Sequence, residues 1–71
     1  MKYVPFKKWI EKFKNDDTPT GDLAHDIYFD VRFPSQSTDK DEILEYLKMR
    51  GAIPEAIKVF ELAWQAYLNT R

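Results

Sequence analysis

Apolar side chains recur along this chain at helical spacing, with one stretch that competes. Phe6, Trp9, Ile10 and Phe13 stand at i, i+3, i+4 and i+7, which on a 3.6-residue period gathers them into a single stripe. Lys7, Lys8, Glu11, Lys12 and Lys14 fall on the opposite face. Pro5 suits the first helical position, where a missing N–H leaves no bond unmade. The run NDDTPTGD, residues 15–22, has no apolar side chain and is rich in turn formers, so it predicts a loop.

A second helix is expected to begin within Thr20–Asp22, where a side-chain oxygen can accept from free backbone N–H groups and an early acid suits the positive helix end. Leu23, Ile27 and Val31 then recur at i, i+4 and i+8. The competing stretch is IYFDVRFP, residues 27–34, where Ile27, Phe29, Val31 and Phe33 alternate as in a half-buried strand. A strand needs a partner for its backbone groups, and a buried N–H or C=O left unpaired costs about 1–3 kcal/mol. No second run with strand character exists to pair with it. IYFD is therefore read as the last turn of a helix and VRFP as the connection leaving it. Pro34 disfavours helical geometry at Phe33, which is left to point inward as an anchor.

Further along, SQSTDKDE offers two overlapping capping boxes, Thr38 with Asp41 and Asp39 with Glu42. Ile43, Tyr46, Leu47 and Met49 form the apolar side of the helix that follows, and Gly51 marks its end. Pro54 opens a last helix with Ile57, Phe60, Trp64, Tyr67 and Leu68 on one stripe and Glu55, Lys58, Glu61 and Gln65 outside. The pattern predicts an all-α domain over residues 1–71, a small four-helix bundle with helices of about 10–15 residues and short loops. Residues beyond Leu68 are expected to fray. No internal repeat or low-complexity tract is present.

Composition narrows the function. A chain of 71 residues is near the lower end of what one core supports without staples. With 44% hydrophobic and 15% aromatic residues it has the material for that core. The absence of Cys removes disulfides, thiolate ligands and a thiol nucleophile together. The start, MKYVPFKKWI, lacks the apolar run of a secretory signal, and nothing approaches the roughly 20 apolar residues of a membrane span. The expectation is a soluble cytoplasmic protein with no membrane role, a monomer or small homo-oligomer.

Net charge is −1, which argues against a general nucleic-acid coat protein, but it conceals a gradient. Residues 1–15 carry five lysines against Glu11, a balance of +4; residues 16–50 carry nine acids against four bases, a balance of −5. On a small domain such asymmetry usually marks solvated faces, and it can also mark a binding face.

The segments FPSQSTDKDEILEYL and FELAWQAY carry a resemblance. Phe33, Pro34, Ser37, Glu42, Ile43, Tyr46 and Leu47, followed by Phe60, Ala63, Trp64 and Tyr67, resemble the YozE SAM-like family, short uncharacterised proteins of Gram-positive bacteria. The likeness covers nearly the whole chain, with PFKKWI a looser match to the family's aromatic start. Lys7 and Lys40 depart from it, standing where many members have an aromatic residue. The resemblance implies a compact SAM-like helical bundle, similar to sterile alpha motif domains whose relatives bind proteins and sometimes nucleic acid. It implies no catalytic residue.

Candidate chemistry is sparse. His25 is the only histidine; on a polar helix face it reads as a surface residue, and with no Cys it makes no zinc site. The acids Asp39, Asp41, Glu42 and Glu45 fail as a calcium loop, because the sixth position counted from Asp39 is Leu44 where a glycine is required. Gly21 and Gly51 form no phosphate loop. Trp9 and Trp64 share helical stripes with other apolar residues and read as core rather than stacking platforms. No catalytic, cofactor or metal site is expected. The basic first helix remains, with Lys7, Lys8, Lys12 and Lys14 as candidate contacts to a partner. The leading expectation is a non-enzymatic helical module that binds a protein through a helical surface. The competing one is weak, salt-sensitive nucleic-acid binding through those lysines.

Overall fold

A computed structural model of the chain describes residues 4–70. Four helices follow one another: α1 (Phe6–Ile10), α2 (Pro19–Phe29), α3 (Lys40–Met49) and α4 (Pro54–Asn69). No strand occurs among the described residues, so the alternation in IYFDVRFP is a coincidence at a helix end.

The first helix is shorter than its stripe suggests. Pro5 has extended backbone, ψ 147°, and is the N-cap rather than the first helical residue. After Ile10 the chain tightens into a 3₁₀ turn, Glu11–Phe13, leaving Phe13 half-buried. An N-terminal N–H has no partner inside its own helix; that of Phe6 donates to the Ser37 carbonyl at 3.1 Å, tying α1 to the loop before α3.

Helix α2 starts earlier than its apolar residues suggest. Thr18 is the N-cap, its Oγ1 accepting from the Gly21 N–H at 3.0 Å, and Pro19 takes the first position. The local polarity of TPTG hides this, because caps are polar by construction. At the far end Asp30 breaks the helix: its Oδ1 accepts from the Arg32 N–H at 3.0 Å, and its carbonyl accepts from the Phe33 N–H at 3.1 Å. These turns carry Val31 outward, against its place in the Leu23–Ile27–Val31 series. Phe33 points inward as expected, buried and edge-on to Tyr46 at 5.5 Å.

Asp39 caps α3 by accepting from the Asp41 N–H at 3.1 Å. Thr38 is not the cap. Glu42 accepts instead from the buried Ser37 hydroxyl at 2.6 Å, and Ser37 Oγ accepts from the Asp39 N–H at 3.1 Å. The second capping box is thus relayed through a serine. The helix closes with the Ala52 N–H on the Leu47 carbonyl and the Gly51 N–H on the Lys48 carbonyl, both 3.0 Å, with Gly51 at φ +84°. Met49 lies exposed rather than on the apolar side. Pro54 opens α4 as expected. The chain stays helical past Leu68 through Asn69, where Thr70 Oγ1 donates to the Tyr67 carbonyl at 2.9 Å. Leu68 sits at the stripe's exposed edge, and Arg71 lies outside the described residues.

Rings fill the interior. Phe6 is wholly enclosed, its centroid 5.2–5.8 Å from those of Trp9, Phe60, Trp64 and Tyr67. Burial of one such side chain contributes about 1.5–3 kcal/mol, with a further 0.5–1.5 kcal/mol per well-placed ring pair. Trp64 is buried as expected; Trp9 is half-buried, its enclosed Nε1 without an acceptor among the described residues. Ile10, Leu23, Ala24, Ile27, Ile43 and Leu47 complete the core. The backbones of α1, α2 and α4 pack on one another, whereas α3 lies against α4 alone. A gap is therefore left between the C-terminal half of α2 and the end of α3.

Candidate functional site

That gap is an open groove of about 770 Å³. Its floor is apolar, formed by Leu23, Ile27, Phe33 and Leu47. Along its sides stand Phe29, Val31 and Ile53, which are 62%, 93% and 63% exposed. Local chemistry puts them there. Phe29 falls on the Asp22–Asp26 side of α2, off the buried stripe; Val31 is carried out by the Asp30 turn; Ile53 is the extended N-cap of α4. Arg32, Arg50, His25 and Asp26 supply the groove's polar groups.

Asp30 organises the groove's inner edge. Its Oδ2 accepts from the Tyr46 hydroxyl at 2.5 Å and lies 3.9 Å from Arg50 Nε, while its carbonyl accepts from Lys7 Nζ at 3.2 Å. One residue thereby joins α1, the end of α2 and α3. The Tyr46 hydrogen bond holds the Asp30 carboxyl below its ordinary pKa, helped by the Arg32 N–H and the charges of Arg50 and Lys7 and opposed by partial burial. Burial raises the Tyr46 phenol, as does the adjacent carboxylate.

A depressed carboxylate pKa stabilises the fold above the unfolded value, about 4 for Asp, and that stability is lost as pH falls through the folded value. Asp30→Asn is accordingly expected to melt several degrees below wild type at neutral pH, with the gap closing once the pH drops below about 4. Melting curves at a series of pH values check this, and a constant gap across the series would refute the linkage.

The four lysines expected on the first helix do not converge, and only Lys7 and Lys8 lie on α1. Lys7 is held by the Asp30 carbonyl. Lys8 lies 3.4 Å from Glu11 with its side chain largely exposed. Lys12 Nζ sits over the rings of Trp9 and Phe13, at 5.1 and 5.5 Å, and Lys14 Nζ over Tyr28 at 4.8 Å. Exposed cation–π contacts contribute only about 0.5–1 kcal/mol each, so Lys12 and Lys14 can be drawn away by a stronger anion. Lys40, the other departure from the aromatic pattern, pairs with Glu61 across α3 and α4.

His25 is exposed, its ring 4.7 Å from Phe29 and its Nδ1 3.9 Å from Asp26. Among the described residues no group of three His, Cys, Asp or Glu side chains is placed to hold a metal. No helix among them is long and apolar enough to cross a membrane. Reading the sequence did not find Phe29, Val31, Ile53, Arg32 and Arg50 as one surface. Phe29 alone left a signal, an apolar residue among the acids of the outer face of α2.

The description "YozE SAM-like fold" matches residues 5–69. A UPF0346 protein of Bacillus cereus (strain B4264) is 41% identical over 83% of this chain and 78% of its own length. One of Bacillus cytotoxicus is 48% identical over 70% of this chain and 69% of its own. One of Pediococcus pentosaceus is 39% identical over 69% and 66%. No solved structure is similar enough to count as a match.

Proposed function

The chain belongs to the YozE SAM-like family, and from that premise we propose that it is a non-enzymatic, cytoplasmic interaction module that docks a protein partner in the groove between α2 and α3. The observation that carries this reading is the placement of Phe29, Val31 and Ile53, three large apolar side chains left in water around one concavity. Scattered exposed apolar residues are ordinary, but several gathered on one face mark a surface that something covers. The polar groups nearby support binding over catalysis: both oxygens of Asp30 accept hydrogen bonds, and His25 lies open to solvent against Phe29.

A photo-crosslinking residue at Val31 tests the reading in the native host. It is expected to trap a protein, while the same residue at Gln65, exposed on α4 and outside the groove, traps none. Absence of a protein adduct at Val31 would sink the proposal. Nucleic-acid binding through Lys8, Lys12 and Lys14 is the second reading, supported by the ease with which the last two can leave their rings. Short single-stranded and duplex DNA at low salt tests it, and unmoved amide signals over residues 5–15 would remove it.

A further inference from the structure

Resting on the docking reading, we infer that the segment this groove takes is acidic as well as apolar. The chain has three arginines, Arg32, Arg50 and Arg71, and the first two line the groove. They stand within a stretch, residues 16–50, that is otherwise strongly acidic, and they share the groove with Asp26 and Asp30. Arg32 is exposed, and its side chain makes no ion pair among the described residues. Arg50 is half exposed and reaches Asp30 only through Nε at 3.9 Å, which leaves its terminal N–H groups available. Asp30 stays ionised and offsets part of the Arg50 charge, so Arg32, with no acidic partner among the described residues, is the groove's stronger contact for a carboxylate.

Guanidinium is suited to such a role. It is planar, presents paired donors that match a carboxylate, and sheds its hydration more readily than an ammonium. Arginine and aromatic side chains are also the residue types enriched at interfaces. A basic segment would meet the uncompensated charge of Arg32, and a purely apolar one would cover that guanidinium without pairing it. The groove's other carboxylate, Asp26, lies beside His25 and one helical turn before Asp30, about 6 Å along α2. The partner's acids therefore fall at the Arg32 and Arg50 end, and its apolar side chains lie along Phe29, Val31 and Ile53.

Three synthetic peptides of about 15 residues test this against the isotope-labelled full chain. They share one Leu/Phe stripe and carry Glu, Gln or Lys at the remaining positions. The Glu peptide is expected to shift the amides of residues 29–32 and 50–53, to bind about 10-fold more tightly than the Gln peptide, and to weaken as salt rises. Arg32→Glu, whose exposed side chain leaves the fold intact, is expected to lower that affinity about 10-fold and to favour the Lys peptide instead. Equal binding of the Glu and Gln peptides would overturn the acidic inference while leaving apolar docking standing. So would silence of all three peptides while Val31 still crosslinks a protein. Shifts of the same amides with protein concentration alone would name a second copy as occupant and also overturn it.

Discussion

Phe6→Ala lowers the melting temperature by about 15–30 °C, the shift expected of a 3–5 kcal/mol loss in a domain of this size. The side chain is wholly buried and touches four other rings. Its removal forfeits both the transfer free energy of a phenyl group and the ring contacts, and leaves a cavity that rigid neighbours cannot collapse into. A chain of 71 residues has a total stability of only about 4–11 kcal/mol, so a large share of the fold goes with one residue. Phe29→Ala is the matched control. It removes the same group from an exposed site and is expected to stay within about 0.5 kcal/mol of wild type. Thermal and urea denaturation followed by tryptophan fluorescence compare the two. A Phe6→Ala protein that melts within a few degrees of wild type would mean the ring cluster is not the core.

Gly21→Ala is expected to destabilise by about 2–4 kcal/mol, although propensity argues for the opposite sign. Gly21 lies in the first turn of α2, where alanine is intrinsically better than glycine by about 1 kcal/mol. A Cβ placed there would stand 2.0 Å from the Asp16 carbonyl oxygen and 2.8 Å from its carbon. Those are backbone atoms, with no flexible end to swing aside. Either the loop lifts off α2 or the first turn unwinds, taking with it the Thr18 cap on the Gly21 N–H. Overpacking of this kind costs about 1–3 kcal/mol, and loss of a cap adds about 1. Gly51→Ala separates the two roles of glycine. Nothing lies within 4 Å of its missing Cβ, and only its φ of +84° resists the change, at about 1–2 kcal/mol. Equilibrium unfolding of the three proteins should rank Gly21→Ala below Gly51→Ala. A Gly21→Ala protein more stable than wild type would show that the loop yields freely.

Predictions from the sequence succeeded where one helix sufficed to explain the pattern. The Phe6–Ile10, Ile43–Leu47 and Phe60–Trp64–Tyr67 spacings each bury one stripe, because 3.6 residues per turn puts them on one side whatever they pack against. Pro54 and Gly51 mark boundaries for equally local reasons, a missing N–H and a positive φ. Predictions failed where a neighbour decided. Thr18 and Pro19 look like loop residues because nothing apolar flags them, yet the Thr18 cap on the Gly21 N–H makes them the start of α2. VRFP leaves α2 as expected, and what its spacing left undecided is that the Asp30 side chain turns Val31 to water.

The amino-acid order by itself determined an all-helical chain with an aromatic interior, because helical periodicity and backbone satisfaction are properties of short segments. Only the folded arrangement decided that Lys7, Lys12 and Lys14 are drawn to separate partners, that Asp30 gathers groups from three elements, and that Phe29, Val31, Ile53, Arg32 and Arg50 share one groove. Those relations join residues up to about two dozen positions apart, and the groove exists because the backbone of α3 packs on α4 and not on α2. No spacing along the chain encodes a space that two helices leave open.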